Sequence, residues 1–269
     1  MGETVLRELH EHVQAAEMVL VGLGEEFQYD WNALTNDERY REIENEIGDE
    51  RDRIWIIPFL QKMILQQLRD DKWNRAYESL ESILKDKNYF IVSLCMDDYI
   101  YGSELRESRI VTPCGGFRQM QCDSNCSRVL SDIPQETYSK VLQYYDRKIA
   151  IEDLQEPTCT RCGSKLRFNQ LGVSRYAEEG YLEQWNEYTK WLQGTVNKKL
   201  CVLELGVGME YPTVIRFPFE KIVYYNQKSS LWRVHPTLCQ IGEEIGDRGY
   251  SVKANPIDFM CEGRSYGIK

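Results

Sequence analysis

The fold is decided by the apolar run Met18-Val19-Leu20-Val21-Gly22-Leu23-Gly24, which ends in a Gly-x-Gly turn. A short run that is apolar at almost every position indicates a strand with both faces covered, as in parallel sheets flanked by helices. The preceding residues 4–16 carry apolar side chains at helical spacing. A later run, Leu200-Cys201-Val202-Leu203-Glu204-Leu205, has a similar character and ends in Gly206-Val207-Gly208. The two runs predict two strands of one parallel sheet.

Strand and helix patterns alternate along much of the remaining chain. Residues 30–52 are acidic and polar without a clear period, which predicts a loop or short helices. Helices are predicted over 53–68, 72–86, 136–146 and 175–193, and further strands at Tyr89-Phe90-Ile91-Val92, Ile110-Val111-Thr112 and Ile222-Val223-Tyr224-Tyr225. This alternation predicts an α/β fold with a Rossmann-type doubly wound parallel sheet.

Four cysteines form two close pairs, Cys122 with Cys126 and Cys159 with Cys162, each in a polar, turn-prone setting. Zn²⁺ takes four thiolates at about 2.3 Å, and a short spacer lets one tight turn supply two of them. The spacing therefore predicts a zinc site, which is structural because four thiolates leave no open coordination position. The alternative is a set of buried or disulfide-bonded cysteines, and the isolated cysteines are interpreted as core thiols: Cys95, Cys201, Cys239 and Cys261.

The cysteine pairs also suggest how the chain is divided. Residues 114–169 are predicted to form a small zinc-binding module with the knuckles at its base. The flanking segments 1–113 and 170–269 are predicted to form one Rossmann-type nucleotide-binding domain. The module is thus an insertion into the sheet domain.

Composition restricts the classes of function. The chain has 269 residues, 42% of them hydrophobic, and a formal net charge of −10. An acidic surface repels phosphates, which predicts that nucleic acid is not a partner. No apolar window approaches the roughly 18 residues that a membrane helix needs, and the charged start of the sequence does not resemble a secretory signal. With an odd number of cysteines, these features predict a cytoplasmic protein that does not bind membranes.

Both glycine turns are candidates for nucleotide binding. Glycine lets the backbone approach a ligand closely at the carboxyl edge of a parallel sheet, which makes Gly22, Gly24 and the run Gly206-Val207-Gly208 predicted cofactor-binding residues. The alternative is that each is a tight turn without a ligand. Glu25 and Glu26 follow the first turn, where carboxylates would compete with a pyrophosphate for backbone amides. Glu25 and Glu26 are included among the predicted cofactor-binding residues because they follow this turn, and the alternative is that they cap a helix.

Zinc knuckles inserted into a parallel α/β sheet resemble the sirtuins, which are NAD-dependent protein deacylases and ADP-ribosyltransferases. Gly22-Leu23-Gly24-Glu25-Glu26 is similar to the family's Gly-Ala-Gly-x-Ser turn, and Phe90-Ile91-Val92-Ser93-Leu94-Cys95-Met96-Asp97 to its strand ending in Thr-Gln-Asn-Ile-Asp. Thr112-Pro113-Cys114-Gly115-Gly116-Phe117-Arg118 stands where the family has His-Gly-Ser. Glu204-Leu205-Gly206-Val207-Gly208-Met209-Glu210-Tyr211-Pro212 looks most like the macrodomain-linked bacterial branch, which is associated with protein ADP-ribosylation. The resemblance covers roughly residues 17–255.

The resemblance implies a bound NAD or ADP-ribose-like ligand and a nucleotide, protein or peptide substrate. It places Tyr225-Asn226-Gln227 at a strand end near the adenosine ribose, so that Asn226 and Gln227 join the predicted cofactor-binding residues. It also makes Asp97 the residue that would hold the nicotinamide amide, and Cys114 a candidate nucleophile or acceptor-side group. The alternative for Cys114 is a small packed residue beside a turn.

Three positions depart from the family pattern. The catalytic histidine falls on Cys114, the glutamine on Leu94 and the asparagine on Cys95, while the aspartate is retained as Asp97. A cysteine with its usual pKa near 8.5 is a poor general base at neutral pH, and leucine cannot hydrogen-bond. The sequence therefore predicts a sirtuin-like protein that has lost standard deacetylase activity. The alternative is an active NAD-dependent ADP-ribosyltransferase or deacylase.

Overall fold

The computed structural model describes residues 2–48, 50, 52–68 and 71–262. Within them the strands are, in chain order, β1 (Met18–Leu23), β2 (Asn88–Ser93), β3 (Ile110–Val111), β4 (Gly115–Cys122), β5 (Leu166–Gln170), β6 (Leu200–Leu205), β7 (Ser230–Val234) and β8 (Gly249–Val252). The helices are α1 (Gly2–Ala15), α2 (Glu38–Ile47), α3 (Ile56–Leu68), α4 (Asp71–Leu84), α5 (Gln135–Tyr145), α6 (Leu182–Gln193), α7 (Arg216–Tyr225) and α8 (Pro256–Glu262).

Six strands form one parallel sheet in the order β3-β2-β1-β6-β7-β8. Strand β1 pairs along its whole length with β2 on one side and with β6 on the other. The order reverses between β1 and β6, which is where a doubly wound sheet opens a crevice for a ligand. Both strands end in a glycine turn, so the sequence predicted the fold class and the two strands at the centre of the sheet correctly.

Helices cover both faces of this sheet. One hydrophobic cluster joins β1, β2 and β6 to α1, α4 and α8, and another joins the opposite face to α6 and α7. Every residue of β1 and β6 is buried, as their almost entirely apolar sequences predicted. No helix among the described residues is long and apolar enough to cross a membrane.

The strand predicted at residues 222–225 is wrong, because these residues form the last turn of α7. Phe219 and Val223 are buried four residues apart, while Tyr224 and Tyr225 face solvent, which is a helical pattern. A run of four apolar residues does not by itself distinguish a strand from a helix. The sheet is instead completed by β7 and β8. The predicted helix over 175–193 is also shorter, since α6 begins at Leu182.

The cysteine-containing insertion forms a second, smaller sheet. Strands β4 and β5 pair in antiparallel fashion, with Cys122 opposite Leu166, and helix α5 lies between them in sequence. The hydrophobic cluster of this insertion also includes α2 and α3, for example Ile43 and Phe59 against Phe117 and Phe168. Packing therefore groups residues 29–65 with the insertion, and the domain limits at 114 and 169 stay a prediction.

Candidate metal centre and nucleotide crevice

The four paired cysteines converge at one end of the small sheet. The sulfur atoms of Cys122, Cys126, Cys159 and Cys162 all lie within 4.8 Å of one another. Sγ of Cys122 is 3.5 Å from that of Cys162, and Sγ of Cys126 is 3.7 Å from that of Cys159. A tetrahedron of thiolates at about 2.3 Å from Zn²⁺ has sulfur–sulfur distances of about 3.8 Å. The donor set and its spacing therefore fit zinc.

Backbone turns hold the sulfurs in this arrangement. In the first knuckle the amide of Asn125 donates to the carbonyl of Cys122, and in the second the amide of Gly163 donates to the carbonyl of Cys159, both at 2.8 Å. Asn125 and Gly163 adopt positive φ angles of 50° and 77°. Asparagine and glycine tolerate that conformation better than other residues. All four cysteines are free of disulfide bonds, which agrees with a metal site rather than with oxidised pairs.

The two glycine turns lie against each other at the carboxyl edge of the large sheet. The amide of Gly24 donates to Leu205 and the amide of Glu26 to Gly206. A Cβ atom on Gly24 would stand 2.3 Å from the carbonyl oxygen of Gly206 and from Cα of Val207. Gly206 has a φ of 68°. Glycine at these two positions is therefore required by the packing of one turn on the other.

Glu25 spans the gap between the two turns. Its carboxylate accepts hydrogen bonds from the amide of Gly208 at 2.8 Å and from the amide of Glu210 at 3.2 Å. Two backbone amides that converge on one anion form the kind of concave site that also binds phosphate. The carboxylate of Glu25 thus lies where the second turn could accept a phosphate group. Glu26, in contrast, has an exposed side chain.

The structure brings Gly22, Gly24 and residues 206–208 together but separates Asn226 and Gln227 from them. These two follow α7, just before β7 begins, and the amide group of Asn226 donates to the carbonyls of Thr195 and Lys198 ahead of β6. They therefore lie at the amino edge of the sheet. The strand end that was expected to place them beside the adenosine ribose is the end of α7 instead, and their cofactor-binding role stays a prediction.

Asp97 follows β2 and is 4% exposed. Its carboxylate accepts hydrogen bonds from the backbone amides of Tyr29 at 2.6 Å and of Tyr99 at 2.9 Å. Burial raises its pKa to about 6, although these hydrogen bonds counteract the increase. Asp97 therefore fixes the loop after the first glycine turn against the end of β2. Its predicted contact with nicotinamide stays a prediction.

Cys114 is 2% exposed and packs in the same hydrophobic cluster as Leu94 and Val207. Burial above all, together with the carboxylates of Glu25 and Glu210, raises the pKa of the Cys114 thiol to about 12. The thiolate is the nucleophilic form of cysteine, and at neutral pH almost none of it is present here. This arrangement agrees with the interpretation of Cys114 as a packed residue. Cys95 likewise donates its thiol to the carbonyl of Gly24.

Charged residues that the sequence analysis did not select hold the second glycine turn in place. Arg233 on β7 pairs with Glu204 on β6 at 2.5 Å, with both side chains fully buried, and with Glu220 at 2.7 Å. Arg216 donates to the carbonyls of Val207 and Leu238. A glutamate within the otherwise apolar run 200–205 was the available signal, because a buried carboxylate requires a partner.

His235 lies at the end of β7 and is also buried. Its Nδ1 atom accepts hydrogen bonds from the backbone amides of Thr237 and Leu238. Burial is the main reason why its pKa is lowered. The imidazole is therefore neutral, with its proton on Nε2, and it stabilises the turn after β7. His235 lies outside the motifs that carry the sirtuin resemblance, and no pattern in the sequence indicated its role.

The chain was compared with protein families and with proteins of known function. No protein-family model matches the chain. A protein ADP-ribosyltransferase of Staphylococcus aureus is 22% identical over 196 residues, which cover 71% of this chain and 60% of that protein. A probable bifunctional ADP-ribose hydrolase/ADP-ribosyltransferase of Fusarium oxysporum f. sp. cubense is 31% identical over 124 residues, which cover 44% of this chain and 20% of that protein. The chain therefore matches less than two thirds of the length of these relatives.

The fold is that of a Rossmann-type domain with an inserted four-cysteine module, and it superposes on solved structures of sirtuins. Two sirtuin structures, both described as showing the structural basis of sirtuin substrate affinity, superpose on this chain with TM-scores of 0.55 and 0.53 at 12% identity. The superpositions cover 97% and 98% of this chain and 99% of each sirtuin chain. A mutant Sir2 homologue in complex with 2′-O-acetyl ADP ribose gives 0.53, again at 12% identity, with 96% of each chain covered. The chain thus has the sirtuin fold, as the resemblance predicted. Its place in the macrodomain-linked bacterial branch stays a prediction.

Proposed function

We propose that this protein binds the ADP-ribose part of NAD at the carboxyl edge of its sheet, and that it lacks standard sirtuin deacetylase activity. The observation that carries the proposal is the contact of Glu25 with the amides of Gly208 and Glu210. These amides already donate hydrogen bonds to an anion, and they lie at the strand-order reversal between β1 and β6. A diphosphate would replace the carboxylate of Glu25 there.

Glu25 makes this binding conditional. A phosphate can approach the amides only if the carboxylate moves away, because two negative charges about 4 Å apart repel by roughly 1 to 4 kcal/mol at a protein surface. The wild-type protein is therefore expected to bind ADP-ribose weakly. The loss of deacetylase activity is supported by Leu94 and Cys114, which pack together where the family has polar catalytic groups.

Zinc is proposed as a structural element of the small module. The ligands Cys122, Cys126, Cys159 and Cys162 would fix the end of β4 beside the start of β5. Four thiolates saturate the metal, so its contribution is to stability rather than to the reaction.

Binding can be tested with the Glu25→Ala variant, with Glu26→Ala as a matched control one residue further along. We expect the melting temperature of Glu25→Ala to rise in millimolar ADP-ribose, since a ligand that binds only the folded state stabilises it by mass action. Affinity should be about tenfold higher than in the wild type, which corresponds to about 1.4 kcal/mol. Glu26→Ala should bind like the wild type. If neither wild type nor Glu25→Ala responds to ADP-ribose or NAD, the proposal is wrong.

A second candidate function is protein ADP-ribosylation, and it is favoured by the ADP-ribosyltransferase names of both relatives. It requires NAD to be bound and cleaved, whereas the first proposal requires binding alone. Incubation with labelled NAD and recovery of label on protein would support the transferase. Binding of ADP-ribose without release of nicotinamide would support the binding protein.

A further inference from the structure

A cavity of about 690 Å³ lies between α3, α4, the segment 97–107 and the start of β4. This volume falls within the range of about 300 to 1,000 Å³ that is typical of small-molecule sites. Among the described residues that line it, none belongs to 22–26 or to 206–210. Asp97, the predicted nicotinamide contact, does line the cavity, but the cavity lies apart from the two glycine turns, so an inference about it does not depend on ADP-ribose binding at those turns.

The wall of the cavity carries more negative than positive charge. Its carboxylates are Glu78, Glu81, Asp97, Asp98, Glu104 and Glu107, and its cations are Lys62 and Arg118. Arg118 is already engaged: it donates to Glu107 at 2.9 Å and its guanidinium lies 4.0 Å from the centre of the Tyr101 ring. The six lining carboxylates outnumber the two lining cations, so the cavity favours a cationic ligand.

Burial raises the pKa of Asp98 to about 7, although the amide of Phe117 and the charges of Lys62 and Arg118 counteract the increase. The neighbouring Asp97 has a pKa of about 6 for the same main reason. An added positive charge favours the ionised form of both carboxyl groups. A cation that enters the cavity should therefore displace protons near neutral pH.

Tyr77 provides an independent indication of a ligand. It lines the cavity and is 2% exposed, and its hydroxyl group has no hydrogen-bond partner among the described residues. Its ring is held edge-on to Phe27 at 5.3 Å and stacked on Tyr99 at 5.9 Å. A buried hydroxyl group without a hydrogen-bond partner destabilises the folded protein. An N–H group of a ligand would supply the missing partner.

We propose that this cavity binds a small organic cation, an ammonium or guanidinium compound that donates N–H groups to the hydroxyl group of Tyr77 and to the carboxyl group of Asp98. The acceptor-rich wall provides the selectivity. Neutral amides and phosphorylated compounds are expected to bind poorly, because they lack the charge or carry the opposite one.

The test is calorimetric titration of the full chain with agmatine and with spermidine at constant ionic strength. We expect saturable binding of at least one of them, with release of protons at pH 7 measured in two buffers of different ionisation enthalpy. Tyr77→Phe removes only the hydroxyl group and should weaken binding about tenfold. Asp98→Asn should weaken binding and reduce the proton release. Glu244→Gln, at an exposed position outside the cavity, should behave like the wild type.

Three results would overturn the proposal. The first is the absence of saturable binding of either amine at concentrations up to about 10 mM. The second is binding that is equally strong in Tyr77→Phe and Asp98→Asn, which would place it at another surface. The third is displacement of the amines by nicotinamide, which would make the cavity part of the nucleotide site. Loss of ADP-ribose binding would not bear on this result.

Discussion

In the cysteine cluster, two tight turns present four sulfur atoms that all lie within 4.8 Å of one another, ready for one metal ion. At the carboxyl edge, two tight turns also meet, but their amides already hold the carboxylate of Glu25. The first site presents a complete set of four thiolate ligands. The second site is closed by a side chain of the same protein. Two adjoining tight turns can therefore either present ligands to a metal ion or be occupied by a side chain of the same protein.

Of the changes that test the two sites, removal of one metal ligand is expected to destabilise the protein most. Cys159→Ser should lose the metal and unfold the small module, because structural zinc contributes about 10 to 16 kcal/mol of binding free energy that is coupled to folding. The measurements are metal content per chain and thermal unfolding. Cys239→Ala replaces a buried cysteine outside the cluster and should keep the metal. Full stability of Cys159→Ser would remove the zinc assignment.

The difference between the two sites also explains what the sequence could predict. The ligands of the metal site form two pairs whose members are close in sequence, so that spacing and turn chemistry were enough to select all four cysteines. The strands β1 and β6 were predicted for a similar reason, since each is a continuous apolar run with a glycine turn. Local patterns were sufficient in both cases.

The carboxyl edge could not be predicted in this way because its contacts join distant segments. The Glu25 carboxylate reaches residue 208, and Asp97 reaches the amide of Tyr29. Whether Glu25 caps its own turn or crosses to another depends on how closely the turns approach, which the sequence does not specify. The strand predicted at 222–225 shows the same limit, because it placed Asn226 and Gln227 at the carboxyl edge of the sheet, whereas they lie at its amino edge.

The buried ion pair beneath the second turn should give the next largest effect. Arg233→Met leaves Glu204 without its partner in a fully buried position and should destabilise the protein by about 3 to 5 kcal/mol. The double variant Glu204→Leu/Arg233→Met removes both charges and should recover much of this loss. Denaturant unfolding measures both. A single variant as stable as the wild type would show that this pair does not support the carboxyl edge.

The smallest effect is expected at Cys114, and it tests whether the closed crevice keeps any of the reactivity that its relatives place there. Cys114→Ala should change the free energy of unfolding by about 1 kcal/mol, since it removes one small buried group. It should leave ADP-ribose binding unchanged in the Glu25→Ala background, because the thiol is packed with Leu94 and Val207 and remains protonated at neutral pH. Rapid alkylation of Cys114 by iodoacetamide near pH 7, in the folded protein, would contradict this. Slow modification that accelerates only on unfolding is the result that a packed, protonated thiol predicts.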